Sequence, residues 1–260
     1  MPEWPELRAW SGQAQQALQG AALDRIETQN EKMLNLPLEA LNAAVRGRRV
    51  RQVRNMGKWM LFELDEGLLG LNFNMGADFC LDRRPMENTR LQVFFADGRV
   101  FSIRFWFLGY LVYGRSLALC PALASLGPDC MALSKEDFCA LLKGRRSLKN
   151  LLLDQHTLCG IGNFYLHDLL FLAGLHPARQ AGSLSQAEKE GLFEAMHALF
   201  ERAAAQGGAA YEHDLFFQSG HYRQSFVGYK ERQACPRCGA PIEKIKLGAS
   251  HVYLCANCQH

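Results

Sequence analysis

Four cysteines in the last part of the chain have the spacing of a metal site. They are Cys235, Cys238, Cys255 and Cys258, in a C-x2-C-x16-C-x2-C array. Two C-x2-C pairs at this separation are typical of a structural zinc site, in which four thiolates surround the ion as a tetrahedron and leave no position for water. We therefore expect structural Zn2+ in a hairpin at about residues 240 to 254, because so small a module could not bury a sufficient core without the metal.

The five other cysteines lack such a pattern. They are Cys80, Cys120, Cys130, Cys139 and Cys159. An odd number at irregular spacings favours reduced thiols over disulfides and predicts a cytoplasmic protein. No apolar run is long enough to cross a bilayer and the N-terminus lacks a signal-peptide pattern, so a membrane partner is not expected. With 48% hydrophobic and 21% charged residues, the composition is that of an ordinary globular protein with room for two domains.

Positive charge is concentrated in three segments, although the formal net charge is only +3. A single basic cluster is usually a solvated face, but three clusters on separate segments favour binding to a polyanion. The clusters comprise Arg46, Arg48, Arg49, Arg51, Arg54 and Lys58; Lys143, Arg145, Arg146 and Lys149; and Lys230, Arg232, Arg237, Lys244 and Lys246.

The predicted secondary structure changes from mainly strands to mainly helices near the middle of the chain. Residues 1–116 are predicted to form a β-sandwich or barrel. An amphipathic helix over Pro5–Gln19 is followed by short runs of β-branched and aromatic residues, separated by turn signals such as Asp97-Gly98. The predicted strands are Leu23–Thr28, Arg49–Arg54, Trp59–Leu64, Gly70–Asn74, Leu91–Phe95, Val100–Phe107 and Leu111–Tyr113.

Residues 134–228 are predicted to form a helical domain, joined to the first domain by a linker at 117–133 that contains prolines and a glycine. Ser134 and Ser185 are placed to cap helices. The Gly160-Ile161-Gly162-Asn163 turn lies between two predicted helices, which is a helix-turn-helix outline. The predicted helices are Lys135–Leu142, Leu148–Asp154, Phe164–Ala173 and Gln186–Ala205, and the zinc finger occupies 229–260.

Four sets of residues, taken in chain order, resemble the formamidopyrimidine-DNA glycosylase and endonuclease VIII family. The resemblance covers the whole chain. It implies an α+β multidomain fold with an N-terminal β-sandwich, a helical domain carrying a helix-two-turns-helix motif, and a C-terminal zinc-finger hairpin. It also implies a monomer that binds double-stranded DNA with a damaged base or an abasic site. The four sets are Pro2-Glu3 with Glu6, Gly57-Lys58, Asp154-Gln155 leading into Gly160-Ile161-Gly162-Asn163-Phe164-Tyr165, and the four-cysteine finger.

The resemblance also implies that catalysis starts from Pro2. Removal of Met1 would expose a secondary amine. An α-amino group titrates at about 7.7 to 8.0, so a useful fraction is nucleophilic at neutral pH. Attack on C1′ of a deoxyribose would expel the base and leave an iminium, whose charge acidifies the C2′ proton and leads to β-elimination. Glu3, beside the nucleophile, could protonate the sugar ring oxygen or transfer protons.

Four further residues acquire expected roles from the resemblance. Lys58 matches the family's lysine that contacts phosphate beside the lesion and assists elimination. Asn163 matches a phosphate-binding asparagine, since the neighbouring glycines let the backbone approach and a helix N-terminus offers free N–H donors. Met75 matches a methionine that fills the gap left by an extruded nucleotide. Glu6, grouped with these DNA-binding residues, is expected to support the helix N-terminus or order the active site.

The loop expected to carry a gap-filling arginine and phenylalanine departs from the family pattern. The run Arg104–Gly109 lacks the usual Pro-Arg-Arg-Phe-Gly sequence. Gap filling is then either incomplete or performed by Trp106 or Phe107. Near the glycine turn, His167 is expected to be structural, whereas Tyr165 could be structural or face DNA.

Two other departures bear on DNA binding and on the substrate. The zinc hairpin has Ser250 where the family has an arginine that grips phosphate, so this contact is lost or moves to a neighbour. The lesion-capping segment Tyr211–Phe226 is short. A short cap disfavours a bulky-purine recognition loop and leaves oxidised pyrimidines, or large alkylated or crosslinked bases, as substrates. The neighbours that could take over the phosphate contact are His251, Lys246 and Lys244.

The leading interpretation is a DNA glycosylase with abasic-site lyase activity that acts in base excision repair, near the nucleoid if the source is bacterial. A noncatalytic or monofunctional relative that binds damaged DNA is an alternative, because the expected arginines are missing. A zinc-ribbon RNA-binding protein is a third possibility, although it leaves Pro2-Glu3 and the glycine turn unexplained.

Overall fold

The computed structural model describes residues 2–223 and 226–260. The chain divides into two compact units, Met1–Ser125 with Ala203–Tyr222 and Leu126–Arg202 with Arg223–His260. The segment 203–222, expected from the sequence to belong to the helical domain, is thus part of the N-terminal unit. Among the described residues, no helix has both the length and the apolar character needed to cross a membrane.

The N-terminal unit is built on a sandwich of two four-stranded antiparallel sheets, as expected. The first sheet has the order β1 (Leu23–Thr28), β6 (Leu91–Phe95), β7 (Val100–Phe105), β5 (Ala77–Asp82). The second has the order β2 (Val50–Met56), β3 (Trp59–Leu64), β4 (Leu68–Asn72), β8 (Tyr110–Gly114). The helices of the N-terminal unit are α1 (Trp4–Leu18), α2 (Leu38–Val45) and α3 (Pro121–Ala124), with 3-10 turns at Glu31–Met33 and Leu117–Leu119.

Helix α1 is anchored to the core of the sandwich by its apolar face. The indole of Trp10 packs edge-on against Phe73 and Phe79, with ring centroids 5.4 Å and 4.8 Å apart. Burying an aromatic side chain of this size contributes about 3 kcal/mol or more. The start of the helix, where Pro2 and Glu3 lie, is therefore held in a fixed position. The buried apolar residues of this face are Leu7, Trp10, Ala14 and Leu18, at helical spacing.

Strand β5 and helix α2 of this unit were not expected from the sequence. Strand β5 contains no β-branched residue and has an aspartate near each end, so its intrinsic preference for a strand is low. It forms because it pairs along its length with β7, from Ala77 opposite Phe105 to Asp82 opposite Val100. Helix α2 is only eight residues long and follows Pro37, and so short a helix depends on tertiary packing.

The second unit contains the helices and the hairpin expected from the sequence, except that the last helix continues from Ala203 to Ala205 into the N-terminal unit. The caps are confirmed, because Ser134 Oγ accepts from Asp137 N–H at 3.0 Å and Ser185 Oγ accepts from Glu188 N–H at 3.3 Å. Gly174 ends its helix in the left-handed conformation with φ 70°. The elements are α4 (Lys135–Leu141), α5 (Leu148–Leu152), α6 (Asn163–Ala173), α7 (Gln186–Ala205), β9 (Glu243–Leu247) and β10 (Ser250–Leu254), with a 3-10 turn at Ala181–Ser183.

Candidate functional site

The first site residues lie at the start of α1. Pro2 and Glu3 are buried, and Met1 lies outside the described residues. Glu3 is the N-cap residue, and its backbone N–H donates to Glu6 Oε2 at 2.9 Å, while the Glu3 side chain accepts from the backbone of Glu6. This reciprocal capping box satisfies N–H groups that a helix start leaves without partners. It also fixes the backbone directly beside Pro2.

Glu6 also holds a distant segment of the same unit. Its Oε1 accepts from the backbone N–H of Ala209 at 2.8 Å. Gly208 has φ +85°, and a Cβ at this position would lie 2.7 Å from Glu6 Oε1. A glycine is therefore needed where the chain passes the carboxylate. These contacts place Glu6 at the helix N-terminus, and its role in ordering the active site stays a prediction.

A third carboxyl group, Glu212, belongs to this part of the molecule. Its side chain is only 2% exposed. Burial, together with the nearby carboxylates of Glu6 and Asp78, raises the pKa of Glu212 to about 7. A carboxyl group with this pKa exchanges protons readily at neutral pH. Glu212 was not predicted from the sequence, because a glutamate in an irregular segment belongs to no motif.

Lys58 occupies a tight turn between β2 and β3. The turn consists of Gly57 and Lys58 between the paired residues Met56 and Trp59, and Gly57 has φ 55°. Such two-residue hairpins favour glycine at the first position. Asn72 Nδ2 donates to the carbonyl of Lys58 at 3.1 Å. The half-buried lysine therefore projects from a rigid backbone.

Met75 lies on the neighbouring turn between β4 and β5. Asn72 connects the two turns, because its Oδ1 accepts from Asn74 N–H at 2.8 Å while its Nδ2 binds the Lys58 carbonyl. Met75 is 50% exposed. The structure thus brings Lys58 and Met75 to the same end of one sheet. The linking asparagine was not identified from the sequence.

Two large aromatic side chains lie beside the Met75 turn. Trp106 and Phe107 are 47% and 62% exposed. Trp106 N–H donates to the carbonyl of Gly76 at 3.0 Å, and a Cβ on Gly76 would lie 2.7 Å from the indole ring. The indole therefore covers the backbone next to Met75. Together these three side chains form an exposed apolar group, which we call the apolar loop cluster.

In the second unit, Asn163 is the first residue of α6. The preceding glycine turn is held by Gln155, whose Oε1 accepts from Gly160 N–H at 3.0 Å and whose Nε2 donates to the Ile161 carbonyl at 2.9 Å. Asn163 Nδ2 lies 3.4 Å from His167 Nε2. Its Oδ1 is buried and has no hydrogen-bond partner among the residues described. Tyr165 is fully buried against Phe164 and Phe200, so its role is structural.

The four cysteines converge in one cluster. All four Sγ atoms lie within 4.8 Å of one another, with Cys235 and Cys258 at 3.8 Å and Cys238 and Cys255 at 3.5 Å. Four sulfurs at about 2.3 Å from a tetrahedral zinc ion would be about 3.8 Å apart. The cluster therefore fits Zn2+, and no ligand position remains for catalysis. Zn2+ here is structural.

The zinc hairpin is attached within its unit by Lys149 of α5. The buried ammonium group donates to the carbonyls of Leu247 and Ser250, the latter at 2.9 Å, which border the turn between β9 and β10. Burial lowers the pKa of Lys149. Ser250 thus presents its carbonyl to Lys149. On the two strands that flank the turn, Lys246 of β9 and His251 of β10 lie opposite each other and are exposed.

Three family models match successive parts of the chain. The formamidopyrimidine-DNA glycosylase N-terminal domain matches residues 1–105, and the formamidopyrimidine-DNA glycosylase H2TH domain matches residues 126–214. A zinc finger found in FPG and IleRS matches residues 232–260. These matches contain all the candidate residues at the start of α1, in the glycine turn and in the cysteine cluster.

Full-length relatives and solved structures are also similar to this chain. The formamidopyrimidine-DNA glycosylase of Geobacter metallireducens is 30% identical over 270 residues and that of a Roseiflexus species is 31% identical over 277 residues, with 100% of both chains covered in each case. The MutM (Fpg) protein of Thermus thermophilus is 27% identical, with 99% and 98% coverage and a TM-score of 0.88. A Lactococcus lactis Fpg complex with DNA containing an abasic site is 25% identical, with 99% coverage of both chains and a TM-score of 0.88.

Proposed function

Since this chain belongs to the formamidopyrimidine-DNA glycosylase family and is a DNA glycosylase of base excision repair, we propose that it removes damaged bases through the amine of Pro2 and then cleaves the strand. The observation that carries the proposal is the arrangement at the start of α1. There Pro2 adjoins a helix start fixed by Glu3 and Glu6, within a unit that also buries the carboxyl group of Glu212.

The proposed reaction begins once Met1 has been removed. The unprotonated nitrogen of Pro2 forms a bond to C1′ of the damaged nucleotide, and the bond from C1′ to the base breaks with its electron pair on the base, which takes up a proton. The Pro2 nitrogen then loses its proton, the bond from C1′ to O4′ breaks as O4′ takes up a proton, and the nitrogen lone pair forms the second bond of an iminium. Loss of the C2′ proton expels the 3′ phosphate, and water hydrolyses the iminium to regenerate the amine.

The carboxyl groups of the N-terminal unit would carry the protons. Glu3 is adjacent to Pro2 in sequence and buried beside it, so it is the residue we assign to protonation of O4′. Glu212 can hold or release a proton at neutral pH and would serve as a second acid or base. Glu6 acts through its contacts with Glu3 and Ala209, because both its oxygens already bind backbone N–H groups.

Lys58, Asn163 and the zinc hairpin would bind the phosphates. The Lys58 ammonium projects from a rigid two-residue turn, and Asn163 begins a helix whose first N–H groups favour an anion. On the hairpin, exposed Lys246 and His251 lie next to Ser250, which replaces the expected arginine, and we assign the lost phosphate contact to them. Zn2+ takes no chemical step and keeps the hairpin folded.

The apolar loop cluster would fill the gap left by the extruded nucleotide. Met75, Trp106 and Phe107 are large, exposed and apolar, which is the character of side chains that enter a base stack. Trp106 is held against Gly76, so it is the aromatic residue that we assign to this task. Indole stacking would replace the arginine that the loop lacks.

The substrate class we propose is an oxidised pyrimidine or a large alkylated base. The support is the short segment Tyr211–Phe226, of which residues 224 and 225 lie outside the described residues. The monomeric state and the cytoplasmic location, near the nucleoid in a bacterium, remain predictions. So do the domain boundaries at 116, 133 and 228.

The test of the mechanism is reductive trapping. Borohydride reduces an iminium to a stable amine, so mixing the processed protein with an abasic-site duplex should give a covalent adduct whose mass maps to Pro2. A matched control carries a short N-terminal extension, which removes the free amine at Pro2 and leaves the fold unchanged. It should bind the duplex without forming the adduct. Glu3→Gln should slow base release by about 100-fold or more.

A second candidate function is binding of damaged DNA without cleavage. The observation that favours it is the absence of the expected arginines at the apolar loop cluster and at Ser250. Tight binding with no adduct, and equal affinity of the processed and extended proteins, would support this function. An adduct at Pro2 would exclude it.

A further inference from the structure

The imidazole of His167 lies between Asn163 and the zinc hairpin. Asn163 and His167 are one turn apart on α6, and Asn163 Nδ2 is 3.4 Å from His167 Nε2. On the other side of the ring, the backbone N–H of Tyr253 in β10 donates to His167 Nδ1 at 3.4 Å. The rings of Tyr229 and Tyr253 pack edge-on against it, with centroids 5.4 Å and 5.2 Å away. The imidazole is fully buried, so its hydrogen bonds cannot be replaced by water.

These two contacts determine which ring nitrogen carries the proton. If the Asn163 amide donated, both nitrogens would have to accept, which a neutral imidazole cannot do. The backbone N–H of Tyr253 can only donate, so Nδ1 is the acceptor and the proton resides on Nε2. A doubly protonated ring is disfavoured as well, since burial, with the nearby Lys149 charge, lowers the pKa of His167 to about 4.

The protonated Nε2 needs an acceptor, and Asn163 can supply one only through its Oδ1. We propose that His167 is a positioning residue that turns the Asn163 amide so that Oδ1 faces the imidazole and Nδ2 is free to bind a DNA phosphate. The two orientations of an amide have the same shape and differ only in their hydrogen bonds. The proposal rests on the phosphate-binding role proposed for Asn163.

The amide atom without a partner among the residues described also supports this orientation. With Oδ1 at that buried position, the orphan group would be an acceptor, which a phosphate cannot satisfy. With the amide turned, Nδ2 occupies that position, and its N–H can donate a hydrogen bond to a phosphate oxygen. An unpaired buried donor disfavours the DNA-free state, so its pairing adds to the affinity for DNA.

His167 also connects the phosphate site to the hairpin. The N–H of Tyr253 selects the tautomer, and the tautomer selects the amide orientation. The hairpin is held in register for this contact by Lys149, whose ammonium binds the carbonyls of Leu247 and Ser250. Zn2+ would thus influence Asn163 without contacting DNA, through the position of one backbone N–H.

The direct test uses the zinc-loaded full-length protein without DNA. Two-bond proton–nitrogen NMR spectra of protein with 15N-labelled histidine should show the His167 proton on Nε2 and an uncharged ring from about pH 5 to about pH 8. The signal is assigned by its disappearance in His167→Gln. A proton on Nδ1, or a charged ring at neutral pH, would overturn the proposal. This result does not depend on whether Pro2 forms an adduct, so it can fail separately from the proposed function.

The functional test compares two substitutions of His167. His167→Leu fills the space without a donor and should weaken binding to an abasic-site duplex about tenfold, with a salt slope smaller by about 0.9. His167→Gln retains a donor near Nε2 and should restore most of the affinity and the slope. In an Asn163→Ala background, His167→Leu should cause no further loss. An equal loss in both backgrounds would mean that His167 only supports the fold, and the proposal would be wrong.

Discussion

Glu3, Glu6 and Glu212 are three buried carboxyl groups in one compact unit, and their surroundings suit them to different tasks. Glu6 accepts two backbone hydrogen bonds and organises the start of α1. Glu3 adjoins Pro2. Glu212 has a pKa raised to about 7, chiefly by burial. In many active sites, neighbouring carboxyl groups have different surroundings and therefore different pKa values. One group can then act as an acid while another acts as a base.

The raised pKa of Glu212 makes the stability of the protein depend on pH. The folded form binds the proton more tightly than the unfolded form, so the stabilisation is complete below about pH 4.5 and is lost as the pH rises through about 7. The loss amounts to about 3 kcal/mol at most. Glu212→Gln, which stays neutral, should remove this dependence. Denaturant unfolding at about pH 5 and about pH 8 measures it.

The matched control for Glu212 is Glu201→Gln, on an exposed part of α7. This substitution should leave the pH dependence of unfolding unchanged, because Glu201 is exposed and solvent screens its charge. If the free energy of unfolding fell equally in Glu212→Gln and in the wild type between the two pH values, the ionisation of Glu212 would not be the cause of the pH dependence.

The Gly207-Gly208 turn shows how one element depends on a side chain in another. Both glycines have positive φ, but only a Cβ on Gly208 would collide with Glu6. Gly207→Ala should cost about 1 kcal/mol from the backbone conformation alone. Gly208→Ala should cost about 1 to 3 kcal/mol more, since the contact between Glu6 and Ala209 would be displaced. Denaturant unfolding compares the two, and equal costs would contradict the collision.

The apolar loop cluster should contribute to DNA binding far more than to stability. Trp106→Ala and Met75→Ala should each weaken binding to an abasic-site duplex about tenfold, which is about 1.4 kcal/mol. Binding to undamaged duplex should change less, because no gap is filled there. The unfolding free energy should change by less than about 1 kcal/mol, because both side chains are half exposed.

Phe107→Ala is the control for this cluster. Phe107 is more exposed than Trp106, and only Trp106 is held against Gly76. Removal of the Phe107 side chain should therefore weaken abasic-site binding less than removal of the Trp106 side chain. The opposite order, measured by fluorescence anisotropy, would transfer the gap-filling role to Phe107.

At the scale of the whole molecule, the zinc module should depend on its metal. Its apolar cluster is small, comprising Phe171, Val227, Cys235, Ile242 and Cys255. The Asp168 carboxylate accepts from Val227 and Gly228 N–H at 2.9 Å each, and Arg237 donates to the Phe171 carbonyl at 2.9 Å, so folding of the module extends to α6. These contacts cannot replace the free energy of about 10 kcal/mol or more that zinc coordination supplies.

Removal of zinc by a chelator should therefore disorder residues 229–260 and weaken DNA binding about tenfold or more, because the phosphate contacts of the hairpin are lost. Hydrogen exchange of the hairpin amides and duplex affinity measure the two effects. Cys235→Ser should behave like the metal-free protein, whereas Cys80→Ser, in β5, should retain zinc. Full affinity after complete zinc removal would contradict the role of the hairpin.

Features that depend on neighbouring residues were predictable from the sequence. Ser134 and Ser185 predict helix starts and Gly174 predicts a helix end, because each acts within a few residues. The cysteines predict the zinc site, because two C-x2-C pairs at this separation are typical of such a site. Three strands, β1, β3 and β6, have the predicted bounds, since each contains β-branched or aromatic residues, which favour a strand. The resemblance to a family then connected Pro2, Lys58 and Asn163, which no periodic pattern could do.

Tertiary structure decided the features that join segments far apart in the chain. Glu6 binds Ala209, 203 residues away, and Lys149 binds the hairpin turn about 100 residues away. The burial of Glu212, the pairing of β5 with β7, and the contact of His167 with Tyr253 arise in the same way. A pattern of period 2 or 3.6 reports only which face of its own element is apolar. The partner that covers that face, and the proton affinity it imposes, exist only once the chain has folded.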